Sequence, residues 1–346
     1  MKKYEGADGI RGLACLVVII AHAFGAFFSS IGAYLGGSGK VGVWLFFVLS
    51  AFLLTARMAS AGFSFNSIAS YALGRFMRII PLYIIALLIY RAAGMLGLGS
   101  SSDLMDAIFF ARGFGHLWTI PVEFKFYLVL PFIAFSLLRV NYRFGGPAAF
   151  VFAILMILIE QWLWPYWLTP ENSIYTRWYL SSFTIGCYCA IAHSQLRDRV
   201  SPRVASILGV LVILAIALMF PTPRNILFGM PIDSWLKDKF VYVSLLWGVF
   251  IVVMADGAGL FGRFFKSKVM STFGAWSFSM YLIHLLFYVW YANAHPNSFV
   301  WMILGIASAV GAGGLLYHFV ESPIEKYRKI IQNKIFVSGR RLPEGY

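Results

Sequence analysis

Charge is the scarcest thing in this sequence. Asp, Glu, Lys and Arg make up 12% of the 346 residues, roughly half of what a soluble domain carries. Acidic residues are scarcer still, 14 against 28 Lys and Arg, for a formal charge of +14. Cysteine is nearly absent: Cys15, Cys187 and Cys189 all sit in apolar runs. Their spacing fits neither a metal-ligand set nor a disulfide framework, and they read as small packing residues. There is no G-x-S-x-G, no P-loop and no H-E-x-x-H. Serine-nucleophile, nucleotide-phosphate and zinc chemistries therefore have no motif to rest on, and no metal is expected. No fixed-period repeat and no long soluble insertion is visible.

What is present is apolar. Hydrophobic residues are 60% of the chain and the mean hydropathy is +0.77, the composition of an integral membrane protein. Ten stretches reach the roughly 17 apolar residues a membrane helix needs: about 10–29, 41–57, 79–96, 118–138, 147–166, 177–193, 204–220, 240–255, 271–291 and 299–319. The expected fold is an all-α polytopic helix bundle of about ten transmembrane helices. It forms one membrane domain over residues 1–346, with a short basic tail at about 320–346 that begins as an amphipathic helix. The first 23 residues resemble a signal peptide, ending in Ala21-His22-Ala23, but Asp8 and Arg11 interrupt that layout.

An even number of spans puts both termini on one side. Of the Lys and Arg residues, 20 fall on that side and seven on the other, with Lys125 inside a span. The positive-inside rule then places both termini in the cytoplasm. The same bias accounts for most of the net charge through topology and lipid contact, so no nucleic-acid partner is expected.

Within this apolar chain, Asp8–His22 stands out. Arg11 and His22 are eleven positions apart, within ~20° of three full helical turns, and so share one face about 16 Å apart. Helix rise puts His22 about 18 Å in from the cytoplasm, and Glu123 about 22 Å and His284 about 19–20 Å, with Glu160 similar. Isolated charges at such depth cost several kcal/mol, and a shared polar cavity relieves that cost. Each group also has a plainer reading. His22 and His284 can be neutral imidazoles bonded between helices, Glu123 a partner of Lys125, and Glu160 an interfacial group. Arg75 and Arg78, at i and i+3 before the third span, share a helix face. With Arg11 they could clamp a phosphate at a cytoplasmic mouth, or simply snorkel. The aromatics from Trp162 to Tyr179 read as an interfacial belt or as a stacking surface for a sugar ring.

In order along the chain, six motifs resemble the membrane acyltransferase-3 family, whose members O-acylate sugars. ADGIRGLACLVVIIAH resembles its D-G-x-R-x-x-A opening with Arg-x10-His, at Asp8, Arg11 and His22. GSGKVGVWLFFVLSAFLLT resembles its second-span signature, with Ala51 where glycine is usual. RFMR, at Arg75 and Arg78, matches Arg-x-x-Arg. HLWTIPVEFKFYLVLP resembles W-S-L-x-x-E-x-x-F-Y-x-x-x-P, at Trp118, Glu123, Tyr127 and Pro131. WSFSMYLIH resembles Y-S-x-Y-L-x-H and ends at His284, with Trp276 and Phe278 at its start rather than tyrosine. VESPIEKYRK resembles the closing E-x-P.

The resemblance implies a membrane O-acyltransferase of a bacterial inner membrane. It would take an acyl group, most simply acetyl, from cytoplasmic acyl-CoA to a hydroxyl of a cell-surface or lipid-linked carbohydrate. His22 and Glu123 would be catalytic, His22 as base or transient acyl acceptor and Glu123 orienting it. Arg11, Arg75, Arg78, Asp8, Trp118, Tyr127 and His284 would hold donor or substrate. No permanent cofactor is implied; acetyl-CoA is a substrate, and lipid surrounds the protein. Many relatives add a span and an extracytoplasmic hydrolase-like domain, and a chain without them would transfer the group directly or hand it to a separate protein. Two other classes remain open on the residues alone: a proton-coupled transporter, and a non-catalytic partner in polysaccharide assembly.

Overall fold

The structure, a computed structural model, describes residues 4–337. Lys2, Lys3 and the end of the basic tail, with Arg340 and Arg341, lie outside the described residues. The described residues form helices and connecting loops, with no strand. Lipid offers the backbone no hydrogen bonds, so an apolar chain of this kind must satisfy its own amides within helices.

The first three long helices are α1 (Ala7–Phe27), α2 (Ser38–Ala61) and α3 (Phe65–Ala92). A short α4 (Ser101–Ile108) follows, with Ser100 and Asp103 forming a capping box. Next comes α5 (Thr119–Leu163), one 45-residue element where two spans were expected. It bends at Gly145, whose φ of 84° and ψ of 177° leave the helical region. A positive φ is open to glycine at no steric cost, and Pro147 just beyond has no N–H to give to the preceding turn.

The chain continues through α6 (Leu180–Leu196), α7 (Pro202–Leu218), α8 (Pro221–Phe228), α9 (Phe240–Met254) and α10 (Gly259–Lys266). It ends in α11 (Lys268–Ala294), α12 (Phe299–Leu316) and α13 (Ser322–Gln332). Among the described residues, six helices are long and apolar enough to cross a membrane, or up to eight if each of two bent pairs is one span. The pairs are α7 with α8, bent by 83°, and α9 with α10, bent by 92°. Among the described residues the count falls from ten to six because α5 merges two expected spans into one element, and because α6 and α7 have 17 residues each and α9 has 15, short of the ~20 that span a bilayer core unaided.

The third helix also differs from expectation in where it starts. It begins at Phe65 rather than near 79, so Arg75 and Arg78 lie near its middle. They are cations inside the bundle, not a flank before it.

α1 is the central post, packed most closely on α11. The two approach backbone to backbone: a Cβ on Gly274 would stand 1.8 Å from the Asp8 carbonyl oxygen, and one on Gly12 would stand 2.7 Å from that of Met270. Small residues let membrane helices meet this way, where packing replaces the hydrophobic drive. Gly274→Ala should therefore push the helices apart and displace Asp8 and Arg11. The expected cost is about 1–3 kcal/mol, typical of overpacking, read as a lowered thermal midpoint of the detergent-solubilised protein.

Beyond α12 the chain makes a π-turn, Tyr317–Glu321, which turns the buried Glu321 inward to accept from Ser279 Oγ at 2.7 Å. Such turns often mark functional positions. α13 is tied to α3 by Gln332, whose Nε2 donates to the Ser70 carbonyl at 2.6 Å.

Candidate active site

Four guanidinium groups converge on one cavity of about 260 Å³: Arg11 from α1, Arg57 from α2, and Arg75 and Arg78 from α3. Glu123 and Tyr127 from α5 and Tyr281 from α11 complete its polar lining, with Phe46 and Phe47 among the apolar walls. Arg11 is paired with Asp8 at 3.0 Å. Arg57, Arg75 and Arg78 form no hydrogen bond or ion pair with the described residues, and Arg75 Nε is buried without a partner. Counter-charge reaches them from behind, since Glu321 acts on Arg78 and Arg11, and Glu325 on Arg78 and Arg57. On the cavity side the four guanidiniums face one carboxylate, Glu123, so the lining keeps a cationic surplus.

Glu123 accepts hydrogen bonds from Ser50 Oγ at 2.7 Å and from the Tyr127 hydroxyl. Tyr127 is thus the group one turn along that engages Glu123, and its ring also lies 5.7 Å from the Arg75 guanidinium. Lys125 points elsewhere, donating to the Phe110 carbonyl at 3.1 Å. Glu160 is buried away from this cavity, taking bonds from Thr184 Oγ1 at 2.7 Å and Ser181 Oγ at 3.1 Å. Trp118 is buried with its ring 5.4 Å from Tyr179 and does not line the cavity.

His22 does not meet Glu123. Its Nδ1 lies 2.8 Å from Nε2 of His284, with the two rings 4° from parallel. His284 Nδ1 in turn lies 2.7 Å from the Tyr281 carbonyl. A carbonyl only accepts, so His284 Nδ1 carries the proton and a neutral His284 offers its Nε2 lone pair. His22 Nδ1 must then donate, which leaves the lone pair of His22 on Nε2. That nitrogen faces the start of α2, where a Cβ on Gly39 would stand 3.4 Å from it.

A third imidazole joins the group. His116 sits 4.8 Å from His284 and 6.5 Å from His22, ring to ring. Its Nε2 donates to the Leu282 carbonyl at 3.2 Å, and its Nδ1 is buried without a partner. Hydropathy leaves His116 out because it falls before the fourth apolar stretch, in the turn Gly115–Trp118. Helical spacing from Glu123 could not have found it, because that turn precedes α5.

Tyr281 joins the two halves. Its hydroxyl donates to the His116 carbonyl, so Thr119 Oγ1, 2.7 Å away, must donate to it. Its side chain and Thr119 line the arginine cavity, while its carbonyl holds His284. The arrangement can thus bind a polyanion in one compartment and present a neutral imidazole lone pair beside it.

Residues 4–318 match the family described as the acyltransferase domain. Among curated proteins, the chain is similar to the O-acetyltransferase OatA of Staphylococcus aureus strain NCTC 8325 / PS 47, at 24% identity over 358 residues. The alignment covers 93% of this chain and 57% of that protein. The same figures hold for OatA of strain COL. The chain therefore spans little more than half the length of these relatives. No solved structure matches it.

Proposed function

The chain belongs to the membrane acyltransferase-3 family, and from that premise we propose that it transfers an acyl group, most simply acetyl, from cytoplasmic acyl-CoA to a carbohydrate hydroxyl. The observation that carries this reading is the cavity with four guanidiniums, three of them without a hydrogen bond or ion pair among the described residues, linked through Tyr281 and His284 to the imidazole of His22. Guanidinium is the side chain suited to phosphate, through charge-assisted and bidentate hydrogen bonds. In this reading Arg11, Arg75 and Arg78, joined by Arg57, hold the coenzyme's phosphates. The pantetheine arm, ~15–20 Å extended, matches the roughly 21 Å of α2 between Val43 and Arg57, both of which line the cavity. The thioester would then lie at the Thr119–Tyr281 end, beside the histidines.

His22 Nε2 takes the proton of the acceptor hydroxyl as its oxygen attacks the thioester carbonyl. The tetrahedral intermediate collapses with cleavage of the C–S bond, and the departing thiolate receives the proton from His22. An acyl-imidazole on the same nitrogen is the two-step variant. His284 fixes the tautomer and ring orientation of His22, the role the sequence assigned to Glu123. Glu123 instead belongs to the donor compartment, where it holds Tyr127 and Ser50 and offsets the arginine charge.

The topology that goes with this reading has ten spans, both termini in the cytoplasm of a bacterium and the protein in the inner membrane. α6 would then cross where it is buried among its neighbours, and the bent pairs of α7 with α8 and α9 with α10 would each make one span. The test is purified protein in detergent with acetyl-CoA labelled in the acetyl group. Label passed to a carbohydrate supports the proposal; ion flux in liposomes without coenzyme turnover would replace it with transport.

A further inference from the structure

A second cavity, of about 60 Å³, lies at the start of α2. Lys40 in its wall and Arg57 at the donor cavity are roughly 25 Å apart along the helix. Its wall takes Lys40 and Trp44 from α2, Glu171 and Tyr179 from the segment between α5 and α6, and Lys237 and Asp238 from the turn before α9. Two buried atoms of its lining residues have no partner, the indole Nε1 of Trp44 and Oγ1 of Thr169. Trp44 is only 1% exposed, so bulk water does not take its N–H. A native protein rarely leaves such a donor unmet, because the loss is about 1–3 kcal/mol.

The wall of the cavity carries two ammonium groups, Lys40 and Lys237, and two carboxylates, Glu171 and Asp238. Lys40 faces Glu171 at 3.4 Å, and Lys239, outside the wall, holds Asp238 at 2.5 Å. A phosphate would call for a surplus of cations and a metal ion for a surplus of carboxylates. Equal numbers of ammonium donors and carboxylate acceptors suit a neutral polyol, whose hydroxyls donate and accept at once. Aromatic faces complete the set: the ring of Phe240 lies 5.3 Å from that of Tyr179 and 6.3 Å from that of Trp44. Such rings offer an apolar surface to the C–H face of a sugar. The volume is about that of two water molecules, enough for a hydroxymethyl or hydroxyl edge of one ring.

The position fits as well. The Tyr179 ring is 5.8 Å from that of Phe47, which lines the donor cavity, so one pair of rings stands between the two compartments. The turn of α2 that supplies Lys40 also sets Gly39 against His22 Nε2. We propose that this cavity is the acceptor subsite, which grips the hydroxyl-bearing edge of a neutral sugar at the opposite end of α2 from the coenzyme phosphates. The proposal deepens the acyl-transfer reading and rests on it.

The test is calorimetric titration of the full chain in detergent with two neutral tetrasaccharides, of β-1,4-linked glucose and of β-1,4-linked N-acetylglucosamine, and separately with inorganic phosphate and with coenzyme A. At least one tetrasaccharide should bind saturably. Trp44→Phe, which keeps the ring and removes the N–H, and Glu171→Gln should each weaken it by about tenfold or more. Thr169→Val, close in shape, should weaken it in the same direction, and an unchanged thermal midpoint in all three variants guards against a folding defect. Absence of saturable sugar binding, equal affinity in all variants, or displacement of the sugar by phosphate would overturn the proposal. Sugar binding that responds to these variants, with no binding of coenzyme A, would keep the subsite and sink the acyl-transfer reading.

Discussion

His22→Ala should lower acyl transfer by about 10²–10⁴-fold, the usual worth of a positioned general base. Coenzyme A affinity should survive, because His22 lies outside the arginine cavity and contributes nothing to its charge. The split between rate and donor binding is what separates a chemical role from a packing one. His284→Ala should act in the same direction but less strongly. It removes the acceptor at 2.8 Å that keeps the proton on His22 Nδ1, so the lone pair would be divided between the two ring nitrogens and the ring freed to turn. Transfer at the full rate in His22→Ala would end the assignment; a loss confined to donor affinity would move His22 into the binding site.

Hydropathy made the long helices legible, since an apolar run of the right length has few alternatives in lipid. It failed where a helix is polar for a reason. The first half of α3 carries Asn66, Ser67, Ser70, Arg75 and Arg78, and such a stretch reads as a loop. It is helical because its arginines face a shared cavity rather than hydrocarbon. Depth along single helices correctly set His22 and His284 at one level. It could not give azimuth between helices, and so it joined His22 to Glu123. The contacts that decide the site are His22 with His284, 262 residues apart, and Glu123 with Ser50, 73 apart. Helical periodicity carries no information about pairs that distant. The family resemblance supplied the residue set, and packing assigned its partners. His116, outside every motif residue singled out, entered only through packing.

Arg75→Ala and Arg78→Ala should each weaken coenzyme A binding by about 10–150-fold, taking roughly 1.5–3 kcal/mol for a hydrogen bond to a charged group. The double variant should fall short of the product of the two, because residues sharing one ligand are coupled. Both affinities should also fall as salt rises, as expected for a partly screened ion contact. Stability should move the other way. Arg75 has a buried Nε with no partner and repels Arg78 inside the same cavity, so its removal relieves an unmet donor and a like charge together. A variant that keeps or raises its thermal midpoint while losing the donor identifies a residue held for binding rather than for folding. Arg75→Lys should restore charge but not the planar fork, recovering only part of the affinity. If Arg75→Ala binds coenzyme A as tightly as the unaltered protein, the clamp is wrong, whatever the fate of His22. If it loses both donor and stability, the guanidinium is structural, and the phosphates must be held by Arg11, Arg57 and Arg78 alone.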